Sequence, residues 1–305
     1  MAQTAVEALS LDSVLADRLS RGTMRGTVHS TFRHVVNVLS SEAELVALCA
    51  SGLDDAPWSV RVDLADWDAL GVADGMPVTF DADTVWLGQV SISLEHATLW
   101  QCRCAAATPH TGALTHRIGI VAAVLIEHGV RGGILSAGRM VDPFGSTLAT
   151  ILNASLRTIV QAECDGDGVA LGGAIDRMLG LGRGLTPACD DVLTGITLVA
   201  SRPASRIVLL PNVLASRLDA QPQCTTALSR ATLREAIQGR ARQRIMELLE
   251  ALFGSDTTTD TKLAEATTGV LKIGHTSGTD TLAGVLASIR LEQRLERVRV
   301  RNCAA

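Results

Sequence analysis

The stretch Ala105-Ala106-Ala107-Thr108-Pro109 separates two kinds of sequence, and its place in the chain decides the fold. Before it, apolar residues alternate or come in short runs; after it, they recur every three or four positions. On the N-terminal side Ser59-Val60-Arg61-Val62-Asp63-Leu64 alternates cleanly and residues 28–39 are rich in β-branched side chains. Pro77-Val78-Thr79-Phe80, Thr84-Val85-Trp86-Leu87 and Val90-Ser91-Ile92-Ser93-Leu94 follow at short intervals. Short strands in series predict a small antiparallel sheet or partial barrel. On the C-terminal side Leu114, Ile118, Val121, Ala122, Leu125 and Ile126 mark the buried stripe of a helix that Gly129 ends. Further helices are expected from residue 146, over 169–181, up to Arg202-Pro203, over 228–253 with a basic outer face, and from 280 to 298. The run Ile207-Val208-Leu209-Leu210-Pro211 is either a short strand or a buried connection. The expected fold is α+β, with a small antiparallel β domain over residues 1–108 and a larger, mainly helical domain over 109–305.

Composition narrows the function. The 305 residues are 47% hydrophobic but 3% aromatic, with no tyrosine, so the core is built from Ala, Leu, Val and Ile. All four tryptophans, at 58, 67, 86 and 100, fall in the β segment, where they fill its core and rim. A net charge of −5, with both signs dispersed, argues against a nucleic-acid partner, which would need a basic stripe. The seven cysteines show neither zinc-site nor redox-pair spacing, and the histidines at 29, 34, 96, 110, 116 and 128 form no metal pattern with carboxylates. With no basic start followed by an apolar run and no stretch long enough for a bilayer, a cytoplasmic protein without a membrane partner is expected.

Two loops stand out. The first is Gly180-Leu181-Gly182-Arg183-Gly184-Leu185-Thr186-Pro187-Ala188-Cys189-Asp190-Asp191; the second is Gly274-His275-Thr276-Ser277-Gly278-Thr279-Asp280. Each runs into an apolar helix, and each contains Asp-x-Leu-x-Gly, as Asp191, Leu193, Gly195 and as Asp280, Leu282, Gly284. Positions i and i+4 share a helix face, so each glycine would admit a backbone or ligand beneath its aspartate. Glycine loops at helix starts offer N–H groups to small anions. The plainer expectation is that each aspartate caps its own helix. Asp191, His275 and Asp280 are the candidate catalytic centre. Gly182, Gly184, Thr186, Asp190, Thr276, Ser277 and Gly278 are the candidate substrate-binding residues. Neither the nucleotide-hydrolase phosphate loop nor the dinucleotide fingerprint is present. No cofactor is required, although Asp190, Asp191 and Asp280 would suit Mg²⁺ around a phosphate.

The string Gly180-Leu181-Gly182-x-Gly184-Leu185-Thr186-Pro187-x-x-Asp190-Asp191, with Gly274-His275-Thr276-Ser277-Gly278-x-Asp280-x-Leu282-x-Gly284, resembles a bacterial domain family of unknown function. That family includes the AllH-type subunit of oxamate carbamoyltransferase. The resemblance extends to Gly26-x-Val28-His29-Ser30-x-Phe32 and Thr225-Thr226-x-x-Ser229, and departs from the family's loop at Arg183, Ala188 and Cys189. It implies a carbamoyltransferase subunit in allantoin and purine catabolism, working in a protein complex on a small anion: oxamate, oxalurate, carbamoyl phosphate or phosphate. A stand-alone amide- or acyl-transfer enzyme, with His275 as base and Cys189 or Thr186 as nucleophile, is an alternative. A non-catalytic assembly or regulatory subunit is another.

Overall fold

Alternate apolar residues organise the first half of the chain. Val36 and Val38, Val46 and Leu48, Val60 and Val62, and Val90 and Ile92 are all buried, while most residues between them are less so. This computed structural model describes residues 4–102, 111–136, 143–254 and 258–303. Residues 105–109 and His110, prominent in the sequence, lie outside them, as does the middle of the polar 254–261 loop. The chain divides into two compact units, Met1–Arg103 and Cys104–Ala305.

The first unit holds strands β1 (Thr4–Asp12), β2 (Met24–Phe32), β3 (Val35–Ser40), β4 (Leu45–Ala50), β5 (Ser59–Val62), β6 (Pro77–Phe80), β7 (Thr84–Leu87), β8 (Val90–Ser93) and β9 (Thr98–Trp100). Helix α1 (Ser13–Ser20) sends Leu15 and Leu19 into the same core. The strands run in the order β5-β4-β3-β2-β6-β7-β8-β1-β9, and β1 also pairs with β5, so the first eight close on themselves. Leu11 lies opposite Val60 in that antiparallel closure. The expectation of a small antiparallel sheet is corrected: the sheet is a closed, barrel-like one, and it is mixed. β1 runs parallel to β8 and β9, and β4 parallel to β5. Alternation reports which face a strand buries but carries no information on the direction of its neighbour. Residues 28–39, continuous in sequence character, are a hairpin turning at Arg33 and His34. Trp67 is buried in the core, and Trp86 is exposed.

The second unit is helical: α2 (Thr111–His128), α3 (Pro143–Asp165), α4 (Gly168–Asp176), α5 (Ala188–Ala200), α6 (Leu210–Ala220), α7 (Ala227–Ile237), α8 (Gln243–Phe253), α9 (Asp260–Leu271) and α10 (Ser277–Cys303). Residues 228–253 form two helices rather than one. The chain turns after Ile237, where the N–H groups of Gly239 and Arg240 bond back to Ala236 and Glu235. Ile207 and Val208 form a connection into α6, whose first N–H groups, on Leu209 and Leu210, donate to Glu163. Ile126, expected on the buried stripe of α2, is 83% exposed.

Every residue of α5 is buried, as expected of a helix with no charged face. It crosses α10 where two glycines meet. A Cβ on Gly195 would lie 2.2 Å from the Thr281 carbonyl oxygen, and one on Gly284 would lie 2.1 Å from that of Val192. At the far end of α5 the buried Arg202 sits 3.3 Å from the centre of the Phe253 ring and 3.3 Å from Glu292 on α10. The crossing fixes the starts of both helices, and both loops lead into those starts.

Candidate functional site

Each Asp-x-Leu-x-Gly string places its aspartate one helical turn before a crossing glycine, so the crossing that brings Gly195 and Gly284 together also brings Asp191 and Asp280 into one neighbourhood. The loops meet as well: Thr186 Oγ1 and Ser277 Oγ are 2.7 Å apart, across 91 positions of sequence. The hydroxyls of both residues also act on the Asp191 carboxyl.

Neither aspartate caps its own helix. Helix α5 has no side-chain cap. Asp280 Oδ1 instead accepts the N–H of Ile134 at 2.9 Å, from a separate segment of the unit. The neighbouring Gly133 lies against that carboxyl so closely that a Cβ there would be 2.1 Å from Asp280 Oδ2. Asp191 is 6% exposed and Asp280 fully buried, and Oδ2 of each has no hydrogen-bond partner among the described residues. Burial pushes Asp191 up to about 8, reinforced by the charges of Asp280 and Asp190 and opposed by the hydroxyls of Ser277 and Thr186. Burial also lifts Asp280 to about 6, opposed by the Ile134 N–H and the Thr276 hydroxyl.

The other candidates take different places. Asp190 is buried, and both its oxygens are held by the chain: Oδ1 accepts the Gly180 N–H at 2.9 Å, and Oδ2 accepts the Thr225 hydroxyl. It ties the start of the first loop to the residues preceding α7 and has no oxygen left for a ligand. Thr226 adds a second tie, donating to the Leu185 carbonyl at 2.6 Å. Gly182 and Gly184 take φ of 141° and 94°, in the region that favours glycine. At the tip, the N–H groups of Gly184, Leu185 and Thr186 donate to no group among the described residues. Gly278 packs onto α9, where a Cβ would be 2.0 Å from the Val270 carbonyl oxygen. His275 is exposed, and no carboxylate among the described residues holds its ring.

Cys189 is fully buried, and its thiol is pushed up to about 12 by burial and then by the charges of Asp190 and Asp280. A nucleophilic thiol needs the opposite surroundings. Of Arg183, Ala188 and Cys189 in the first loop, Ala188 and Cys189 are buried in the core, whereas Arg183 is exposed and stacks over the Phe144 ring at 4.7 Å. Among the described residues no group of three or more His, Cys, Asp or Glu side chains is placed to hold a metal ion.

Gly133 and Ile134 were invisible to sequence reasoning because they act through the main chain, which any residue supplies. Thr225 carried a faint signal as part of the Thr225-Thr226-x-x-Ser229 string.

A closed mixed β unit, and a helical unit whose two loops meet at a pair of buried carboxyls, define a two-part protein with a small polar site. Residues 178–289 match the family model of oxamate carbamoyltransferase subunit AllH, and residues 7–99 match that of the AllH family N-terminal domain. The chain belongs to the AllH family. The first match includes both loops and all the site residues described except Gly133 and Ile134. No solved structure matches the chain. No helix among the described residues is long and apolar enough to cross a membrane.

Proposed function

We propose that the chain acts as a subunit of an oxamate carbamoyltransferase complex and holds a small carboxylate or phosphate between loops 180–191 and 274–280. The observation that carries this is the meeting of the two loops at Thr186 and Ser277, 2.7 Å apart, above the Asp191 carboxyl. The N–H groups of Gly184, Leu185 and Thr186 and the positive ends of α5 and α10 favour an anion at the loop tips. Asp191 and Asp280 form the floor, and burial keeps that pair partly protonated near neutral pH. Thr186, Thr276 and Ser277 supply hydroxyls able to stabilise negative charge that develops on a carbonyl oxygen during carbamoyl transfer. In this reading the exposed His275 would meet the reacting group rather than hold the site together. Asp190 is a positioning residue in this reading. Other protein subunits complete the machinery.

Calorimetry of the full chain, alone and with purified partner subunits, against oxamate, oxalurate, carbamoyl phosphate and phosphate tests the proposal. Saturable binding is expected for at least one of them, weakened tenfold or more by Thr186→Val with Ser277→Ala. Absence of heat with every ligand in every combination would overturn it.

A further inference from the structure

The β unit has a cavity of its own. It measures about 540 Å³, within the size range of small-molecule sites, and every residue that lines it belongs to the first unit. Its polar wall is built where β1 meets β5. A bulge between Ala8 and Ser10 breaks the regular register there and sets Ser10 opposite Arg61. The Ser10 hydroxyl donates to Asp55 Oδ1. Arg61 Nε donates to Ser10 Oγ at 3.1 Å and stands 3.6 Å from the same Asp55 oxygen. Ser10 is 3% exposed and Asp55 9%, so two buried groups hold the guanidinium by its Nε. Its two Nη groups, and Asp55 Oδ2, make no hydrogen bond among the described residues. Leu9, Leu99 and Trp100 supply apolar lining, and Leu99 is 58% exposed.

We infer that this cavity is a binding site for an α-amino acid with an apolar side chain. The ligand's carboxylate meets the Arg61 Nη groups, its ammonium meets Asp55 Oδ2, and its side chain lies against Leu9, Leu99 and Trp100. Asp55 and Arg61 are the charged residues of the lining, and one carboxylate with one guanidinium matches a zwitterion charge for charge. A simple anion would be set against Asp55, and a simple amine against Arg61. The planar guanidinium takes a carboxylate through two parallel N–H donors. Because Ser10 and Asp55 already fix it, little side-chain freedom is lost when the ligand arrives. The inference is independent of the loop site, since none of these residues lies in the helical unit.

L-Leucine and L-phenylalanine are the probes, titrated calorimetrically into the full chain, and saturable binding of at least one is expected. The N-acetyl derivative of the amino acid that binds keeps only the carboxylate charge, and its amide keeps only the ammonium. Each should bind about tenfold more weakly or worse, because each leaves one charged partner in the wall unmatched. Asp55→Asn and Arg61→Gln should each weaken the amino acid about tenfold or more. Circular dichroism checks that these variants fold. Leu99→Ala, at an exposed position away from the polar wall, should weaken binding several-fold and keeps the test decisive if either polar variant unfolds. Binding should also change the tryptophan emission, and Trp100→Phe should remove that change. Failure of both amino acids to bind overturns the inference. A derivative that binds as well as its parent shows a plain anion or amine site and overturns it too, as does binding that survives all the substitutions undiminished.

Discussion

Asp191 and Asp280 keep two ionisable groups where water does not reach, and this has a cost that pH can reveal. Asp191 is raised to about 8 and Asp280 to about 6, mainly by burial. The titratable groups that act on Asp191 are Asp280 and Asp190, neither of which supplies positive charge. A carboxyl raised in the folded state binds its proton more tightly there than in the unfolded chain. Its contribution to stability is complete below its ordinary value of about 4 and is lost as pH rises through the folded value. Stability should therefore fall from about pH 4 towards pH 8, each group contributing up to about 1.4 kcal/mol per pH unit across its own window. Urea denaturation at a series of pH values checks this. Asp191→Asn should flatten the segment between about pH 6 and 8, and a wild-type profile that rises there would contradict the burial of an uncompensated carboxyl.

Among the elements, α5 and α10 decide the site because their backbones touch. Gly195→Ala or Gly284→Ala would put a methyl about 2 Å from an opposing carbonyl oxygen, closer than any real contact. Separation of the helices should follow, costing about 2–3 kcal/mol or more, measured as a lower urea midpoint with an unchanged slope. The same substitution at Gly269, where nothing lies near the added methyl, should be neutral or stabilising by a few tenths of a kcal/mol to about 1 kcal/mol. How much of this was legible in the chain depends on whether a side chain or the main chain does the work. The repeated Asp-x-Leu-x-Gly marked both aspartates and two glycines open to a backbone or a ligand, because side-chain type at fixed spacing determines helix faces; that the two glycines meet each other was not legible, since it depends on main-chain packing between distant segments. The polarity of Asp190 suggested a ligand contact, but the Gly180 N–H and the Thr225 hydroxyl take up its oxygens. Helices α6 and α9 went unannounced, the first behind the ambiguous apolar run 207–211 and the second because its buried residues, Leu263, Thr267, Val270 and Leu271, make a short stripe interrupted by a threonine.

At the scale of the whole molecule the two units have separate apolar cores. One is built round Phe80, Trp67 and the strand valines; the other round α5 and its neighbours. Because eight strands of the first unit close on themselves and the described residues of its core cluster all come from that unit, residues 1–103 expressed alone should fold. The fragment should give a β-type circular dichroism spectrum and a cooperative melt; a random-coil spectrum would show that the closure depends on the helical unit. The closure itself was the least legible feature. Residues 4–12 alternate only at their end, and the partners of β1 lie some fifty to ninety positions away, beyond the reach of any local pattern. That distance also governs time. Within this unit the earliest strand is the last to complete its pairing: Thr4 pairs with Val90, and Leu11 with Leu99. During synthesis the hairpin of β2 and β3 can form early and β5 can then pair with one edge of β1, while the other edge of β1 waits until residues 90–100 emerge. Slow completion of the β unit, and a need for protection of that waiting edge, are therefore built into the order in which its strands are written.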